Sequence, residues 1–167
     1  MLKLSTKAKT LEDLISIVKC SKVLPIYRFY ASTYLNKKEK ILNQVRSKFD
    51  TNIIVRSSSV SEDNLETSNA GGFDSLLNID GSDKSIISDA INTVIASYGN
   101  KQNSQDQVLI QECLCDVRAA GVVFSCSLES GAPYYRFNFD DKTQSTESVT
   151  SGTHNDLRTI IVSRFAT

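Results

Sequence analysis

The chain has 167 residues, 40% apolar and 23% charged, which is the composition of a globular domain and excludes a disordered one. Nineteen basic residues balance nineteen acidic ones, so no overall field draws it to nucleic acid or an anionic membrane, and any anion site is local. No apolar run approaches the ~18 residues of a membrane span and no signal-peptide core opens the chain, so the expectation is a soluble cytoplasmic domain without membrane or nucleic-acid partners.

Cys20, Cys113, Cys115 and Cys126 have no CxxC spacing, and the chain holds one histidine, His154. That pattern argues against zinc and for buried free thiols in a reducing compartment.

In chain order, Leu11, Leu14, Ile15 and Val18 recur at helical spacing, behind Thr10 as N-cap with Asp13 three residues on. Lys22 to Pro25 reads as an extended connection, because proline disfavours the helical region at the residue before it. Ala31 to Phe49 predicts a second helix through Leu35, Ile41, Leu42 and Val45, with Lys37 to Lys40 on a wet face. Asn52 to Arg56 is short and β-branched, a strand buried on both sides. Phe73 to Ile79 alternates as another strand. Asp83 to Tyr98 carries a broad apolar stripe through Ile87, Ile91, Val94 and Tyr98, and Gly99 stands where a C′ glycine belongs.

Val108 to Glu112, Ala119 to Ser125, Pro133 to Phe139 and Leu157 to Val162 then follow as strands. The middle two are joined as a hairpin across Glu129-Ser-Gly-Ala-Pro133. Helices and strands come mixed, with the later strands in a run, which predicts an α+β fold with a mixed, largely antiparallel sheet and flanking helices.

The stretch from Ile53 to Asp80 holds the chemistry. A buried strand runs into Arg56, then Ser57, Ser58 and Ser59, the acids Glu62 and Asp63, and the pair Gly71-Gly72. A guanidinium at a strand end takes a phosphate or carboxylate in two parallel hydrogen bonds. The serines supply hydroxyls and N–H groups beside it, and Gly-Gly lets backbone approach a ligand as an anion nest. The same residues also describe a capped loop with a surface ion pair. No Walker-type GxxxxGK[ST] occurs in the chain.

Val55-Arg-Ser-Ser58, Ser61-Glu-Asp63, Ser68-Asn-Ala-Gly-Gly72 and Leu77-Asn-Ile79 stand in this order in the chain. They resemble the VRSSA–ED–SFAG–LNV signature of the nucleotide-binding domain of the phosphoenolpyruvate synthase and pyruvate phosphate dikinase family, a variety of ATP-grasp fold. Ser5-Thr-Lys7-Ala-Lys-Thr-Leu11 is similar to the family's GGKGANL opening, and Val108-Leu-Ile-Gln111-Glu112 to its VxVQ strand. Ala119 to Ser125 with Glu129-Ser-Gly131 is similar to its AGVxFT…TG hairpin, and Ser148-Val-Thr-Ser-Gly152 to its DxVxxG turn.

The resemblance implies an ATP site with Lys7 and Arg56 on the phosphates, and Ser68, Gly71 and Gly72 in a loop closing over them. Lys9 rivals Lys7 for that role. Gln111 and Glu112 would stand on the strand that presents backbone to adenine, between a first lobe of roughly 1–107 and a second beginning at 108–167. The implied reaction moves a phosphoryl group from ATP to a histidine on a separate swivelling domain, then to pyruvate on an acceptor domain. Relatives with other acceptors phosphorylate antibiotics or glucans.

Two departures bear on activity. The family's FTRDP is here Phe124-Ser-Cys126-Ser-Leu128, so Cys126 replaces an arginine. The motif DIE…LQ, from which the resemblance implies the Mg²⁺ ligands, does not occur after Gly152; Asn138, Asp140 and Asp141 form the late acidic cluster. The expectation is therefore an incomplete nucleotide-binding domain, inactive by itself, or else a non-catalytic binding module. His154 reads as a surface histidine and not a phosphoryl carrier.

Overall fold

A computed structural model describes residues 5–59, 75–99, 103–143, 149 and 157–165. Among these the fold is α+β, with three α-helices and two antiparallel sheets. Contacts divide the chain into Met1–Cys113 and Leu114–Thr167, and each unit has its own sheet.

The first unit begins with α1 (Lys7–Ile15), four residues earlier than the apolar spacing suggests, and its N-cap is Thr6, not Thr10. The Thr6 hydroxyl accepts from the Lys9 N–H at 3.3 Å, while Asp13 pairs with Lys9 along the helix instead of serving a cap. Polar residues thus begin the helix, which hydrophobic periodicity does not see.

β1 (Ile26–Tyr30) occupies a segment between the Lys22–Pro25 connection and the second helix that carries no strand signal in the sequence. Its two faces are both covered, Ile26 and Arg28 by one layer and Tyr27 and Phe29 by another, so the period-2 signal is absent. A 3₁₀ turn (Ala31–Thr33) leads into α2 (Tyr34–Lys48). β2 (Asn52–Ser58), β3 (Ser75–Asp80), α3 (Lys84–Ser97) and β4 (Gln107–Glu112) complete the unit.

Asp83 caps α3 by accepting from Ser85 and Ile86, and Gly99 follows its end at φ +51°, a left-handed C′ glycine. The strands lie in the order β1-β4-β2-β3.

α2 and α3 cover one face of this sheet. Tyr34, Leu42 and Val45 of α2 and Ile87, Ile91 and Val94 of α3 pack on Ile53, Val55, Val108 and Ile110. Each such side chain contributes about 1.5–3 kcal/mol by leaving water, and this layer holds the fold. The turn from β3 into α3 passes so close to the start of β2 that a Cβ on Gly81 would stand 2.4 Å from the Thr51 carbonyl. The opposite face carries α1, seated through Ala8 and Leu11 on Ile26 and Leu109.

The second unit holds β5 (Ala120–Phe124), β6 (Tyr134–Asp140) and β7 (Arg158–Ser163) in that order. β5 and β6 form the expected hairpin. One face gathers Val123, Phe137, Ile160, Tyr135 and Val162, with Arg158 over the Phe139 ring at 5.4 Å and Arg164 over Tyr135 at 5.8 Å. None of the four cysteines is disulfide-bonded, and only Cys113 is buried; Cys20 and Cys115 are exposed and Cys126 is half-buried. That corrects the expectation of buried thiols. Cys20 and Cys115 lie outside helix and strand, where no packed layer covers them.

Candidate functional site

Register assigns each side chain to a face, because partners in an antiparallel pair point the same way. Arg28 of β1 and Arg56 of β2 both pair with Leu109 of β4, and Arg56 also pairs with Ser75 of β3. Arg28, Leu109, Arg56 and Ser75 therefore form one row on the α1 face. The adjacent row on this face is Ile26, Gln111 and Ile54, and the row beyond Arg56 is Tyr30, Gln107 and Ser58.

Lys7, the first residue of α1, and the side chains of Arg56 and Gln111 are thus brought to one side of the sheet. Glu112 is not: it pairs with Ile53 and points to the face that carries α2 and α3. Lys9 makes an ion pair with Asp13 along α1.

α1 packs over β1 and β4. Beyond it, Arg56 is half-buried, and no described residue hydrogen-bonds or ion-pairs with its guanidinium. Arg28 is engaged differently. Its Nη2 donates to Glu12 Oε2 at 2.7 Å, which ties α1 to β1, while its buried Nε has no partner among the described residues. The hydrogen bond to Glu12 raises the arginine's already high pKa. One arginine on this face is a strut, and the other has no partner among the described residues.

The serines after Arg56 do not open onto that strip. Ser57, Ser58 and Ser59 are each at most 2% exposed. The Ser58 hydroxyl accepts from the Ala8 N–H at 2.9 Å, and the Ser59 hydroxyl donates to Asp106 Oδ1 at 2.7 Å. The Ser58 N–H donates to the Tyr98 phenol at 3.0 Å, which itself donates to the Gln107 carbonyl at 2.5 Å. The Thr6 hydroxyl donates to Gln107 Oε1 at 3.3 Å. These bonds lock the end of β2, the start of β4 and the start of α1 together. In the sequence Tyr98 reads only as part of an apolar helix stripe, and Gln107 and Asp106 are not singled out, because nothing local marks their hydrogen-bond partners.

Ser68, Gly71 and Gly72, with Glu62, Asp63, Gly152 and His154, lie outside the described residues. In sequence, residues 60–74 stand between β2 and β3. In the second unit Asp140 accepts from Lys142 and Thr143, Asp141 pairs with Arg158 at 2.5 Å, and Asn138 accepts from Arg136 and Thr159. These are turn and strand contacts. Among the described residues no group of three or more His, Cys, Asp or Glu side chains is placed to hold a metal ion.

Residues 26–149 match the family described as pyruvate phosphate dikinase, AMP/ATP-binding domain. The chain belongs to that family. The match spans Arg56, Ser68, Gly71, Gly72, Gln111 and Glu112 and begins after Lys7. No curated protein matches the chain. As a dikinase-family AMP/ATP-binding domain, its ligand is an adenine nucleotide, and the α+β arrangement of two antiparallel sheets is consistent with the ATP-grasp-like fold that the resemblance implies. Among the described residues no helix is long and apolar enough to cross a membrane.

Proposed function

We propose that this chain is the ATP-binding part of a cytoplasmic phosphoenolpyruvate synthase-like phosphotransferase, with Arg56 and Lys7 on the nucleotide phosphates. The overall reaction converts ATP, pyruvate and water to AMP, phosphoenolpyruvate and phosphate through a phosphohistidine on another domain. The observation that carries the reading is Arg56: a half-buried guanidinium with no partner among the described residues, on the same face as α1, in a chain of this family.

Phosphoryl transfer asks the protein mainly to position and neutralise charge. Arg56 offers a planar fork for two phosphate oxygens, and Lys7 a compact charge that follows the phosphoryl group as it moves. Ser68, Gly71 and Gly72 would close over the phosphates from the segment joining β2 to β3. Gln111 and Glu112 would present strand backbone to the adenine. Mg²⁺, when bound, would supply neutralisation of phosphate charge; among the described residues no cluster of His, Cys, Asp or Glu is placed to hold it. The first unit would then be one lobe of an ATP-grasp domain, and the second unit would open the other.

Calorimetric titration of ATP, with and without Mg²⁺, into the wild-type chain and Arg56→Ala tests this. The expected result is binding that weakens at least about tenfold in the variant, as loss of a charge-assisted hydrogen-bond pair implies. Affinity untouched by Arg56→Ala would overturn the assignment. Hydrolysis of ATP by the isolated chain would count against its being inactive alone.

A second reading, a domain that binds nucleotide without catalysis, draws support from Cys126, half-buried where the family motif has arginine. A Cys126→Arg variant that leaves phosphoryl transfer absent in the full-length protein would favour it. A related enzyme with an antibiotic or glucan acceptor shares the same nucleotide chemistry, and assay of the full-length protein against each acceptor separates the two.

A further inference from the structure

Resting on the nucleotide reading above, we propose that Ser58 is a positioning residue for Lys7. Its hydroxyl anchors the first turn of α1 and so sets where the lysine stands relative to Arg56. The first N–H groups of a helix have no partner inside it. In α1, Thr6 satisfies the N–H of Lys9, and Ser58 satisfies that of Ala8 from a strand 50 residues away in sequence.

The acceptor is itself pinned. Ser58 is fully buried, and its own N–H is held by the Tyr98 phenol. Ser58 lies two residues beyond Arg56 on the same face of β2, about 6–7 Å along the strand. Lys7 immediately precedes Ala8. One 2.9 Å hydrogen bond therefore joins the backbone segments that carry the two proposed phosphate cations.

Apolar burial alone seats α1 weakly. Ala8 is its one buried residue, with Leu11 partly covered, and the further tie is the Glu12–Arg28 pair a turn later. Polar bonds at the helix start consequently decide its seat. A point charge acts through distance, so a lysine displaced by about 1 Å loses much of its grip on a phosphate.

The test uses the whole chain and ATP as the probe. Affinity and Tm are measured for the wild type, Ser58→Ala, Lys7→Ala, the double variant and Arg56→Ala. Ser58→Ala is expected to weaken binding about tenfold, the scale of one lost charged hydrogen bond. Added to Lys7→Ala it is expected to change affinity no further, since its effect passes through the lysine. Ser88→Ala, which removes the Tyr34 hydrogen bond on the opposite face, is expected to lower Tm and leave affinity unchanged.

An equal loss from Ser58→Ala with and without Lys7 would overturn the proposal while leaving the nucleotide site intact. No ATP binding by the wild type, or none of it dependent on Arg56, would overturn the nucleotide reading as well. If Ser58→Ala does not fold, amide exchange on the wild type decides. Saturating ATP is expected to slow exchange at Ala8, because ligand binding favours the docked helix. An unchanged Ala8 rate in the ATP-bound protein would overturn the proposal.

Discussion

The phenol of Tyr98 stands 3.0 Å from the Ser58 amide and accepts its hydrogen bond. Ser58 is the last residue of β2 and its partner across the ladder is Gln107, whose carbonyl accepts from the same phenol. A side chain at the C-cap of α3 thereby ties together the ends of two strands.

Tyr98→Phe keeps the ring and deletes both bonds. It leaves the buried Ser58 N–H and Gln107 carbonyl without that oxygen, at a cost of about 1–3 kcal/mol. The Tm measured by calorimetry should fall by roughly 2–4 °C for each kcal/mol in a domain of this size. An unchanged Tm would mean that the strand ends are held by other contacts.

Gly81 and Gly99 should respond differently to alanine. At Gly81 the added Cβ meets the Thr51 carbonyl at 2.4 Å, so backbone must shift, and a loss of about 1–3 kcal/mol is expected. At Gly99 the space is open and only the left-handed φ of +51° resists, so about 1 kcal/mol is expected. Urea unfolding of the two variants ranks them, and a larger loss at Gly99 would contradict the packing at the β3–α3 turn.

The strip beside Arg56 makes Gln111, and not Glu112, the side chain able to face a nucleotide there. Gln111→Ala is expected to weaken ATP binding by about two- to tenfold, the value of a neutral hydrogen bond. Glu112→Ala leaves the strand backbone in place and should alter affinity less than Gln111→Ala does. The reverse ranking in an ATP titration would contradict the face assignment.

Asp80 titrates below its ordinary value of 3.8 because the Ser82 hydroxyl and N–H both donate to its carboxylate, at 2.7 and 2.8 Å. A depressed folded pKa lends stability above 3.8 that is lost as pH falls through the folded value. Ser82→Ala removes the hydroxyl's share, so the Asp80 resonance, followed by NMR across acid pH, should titrate closer to 3.8. No movement would place the cause of the depression elsewhere.

Much of this protein was legible along the chain. The stripe of α3 with Asp83 before it and Gly99 after it, the β-branched run of β2 and the Glu129–Pro133 hairpin turn are patterns within a dozen or so residues. Local sequence determines such features because capping, turn conformation and one-sided burial are local physics. The ordered motifs Val55–Ser58, Ser61–Asp63, Ser68–Gly72 and Leu77–Ile79, with those that follow them, indicated the family.

What the sequence could not reveal are relations between residues forty or more positions apart. β1 shows no alternation, since covering both faces erases the contrast that alternation needs. The start of α1 was hidden for a similar reason: its caps are Thr6 and the distant Ser58. Whether Gln111 or Glu112 joins Arg56 depends on register, and a shift of one residue would exchange them. The burial of Ser57 to Ser59 was likewise decided by what folds against them: α1 on one side, and Tyr98 and Asp106 at the strand's end. Composition and local pattern determined which residues are candidates for the proposed phosphate site. Tertiary pairing decided which of them face it, because the direction of a side chain is set by the neighbour its strand finds.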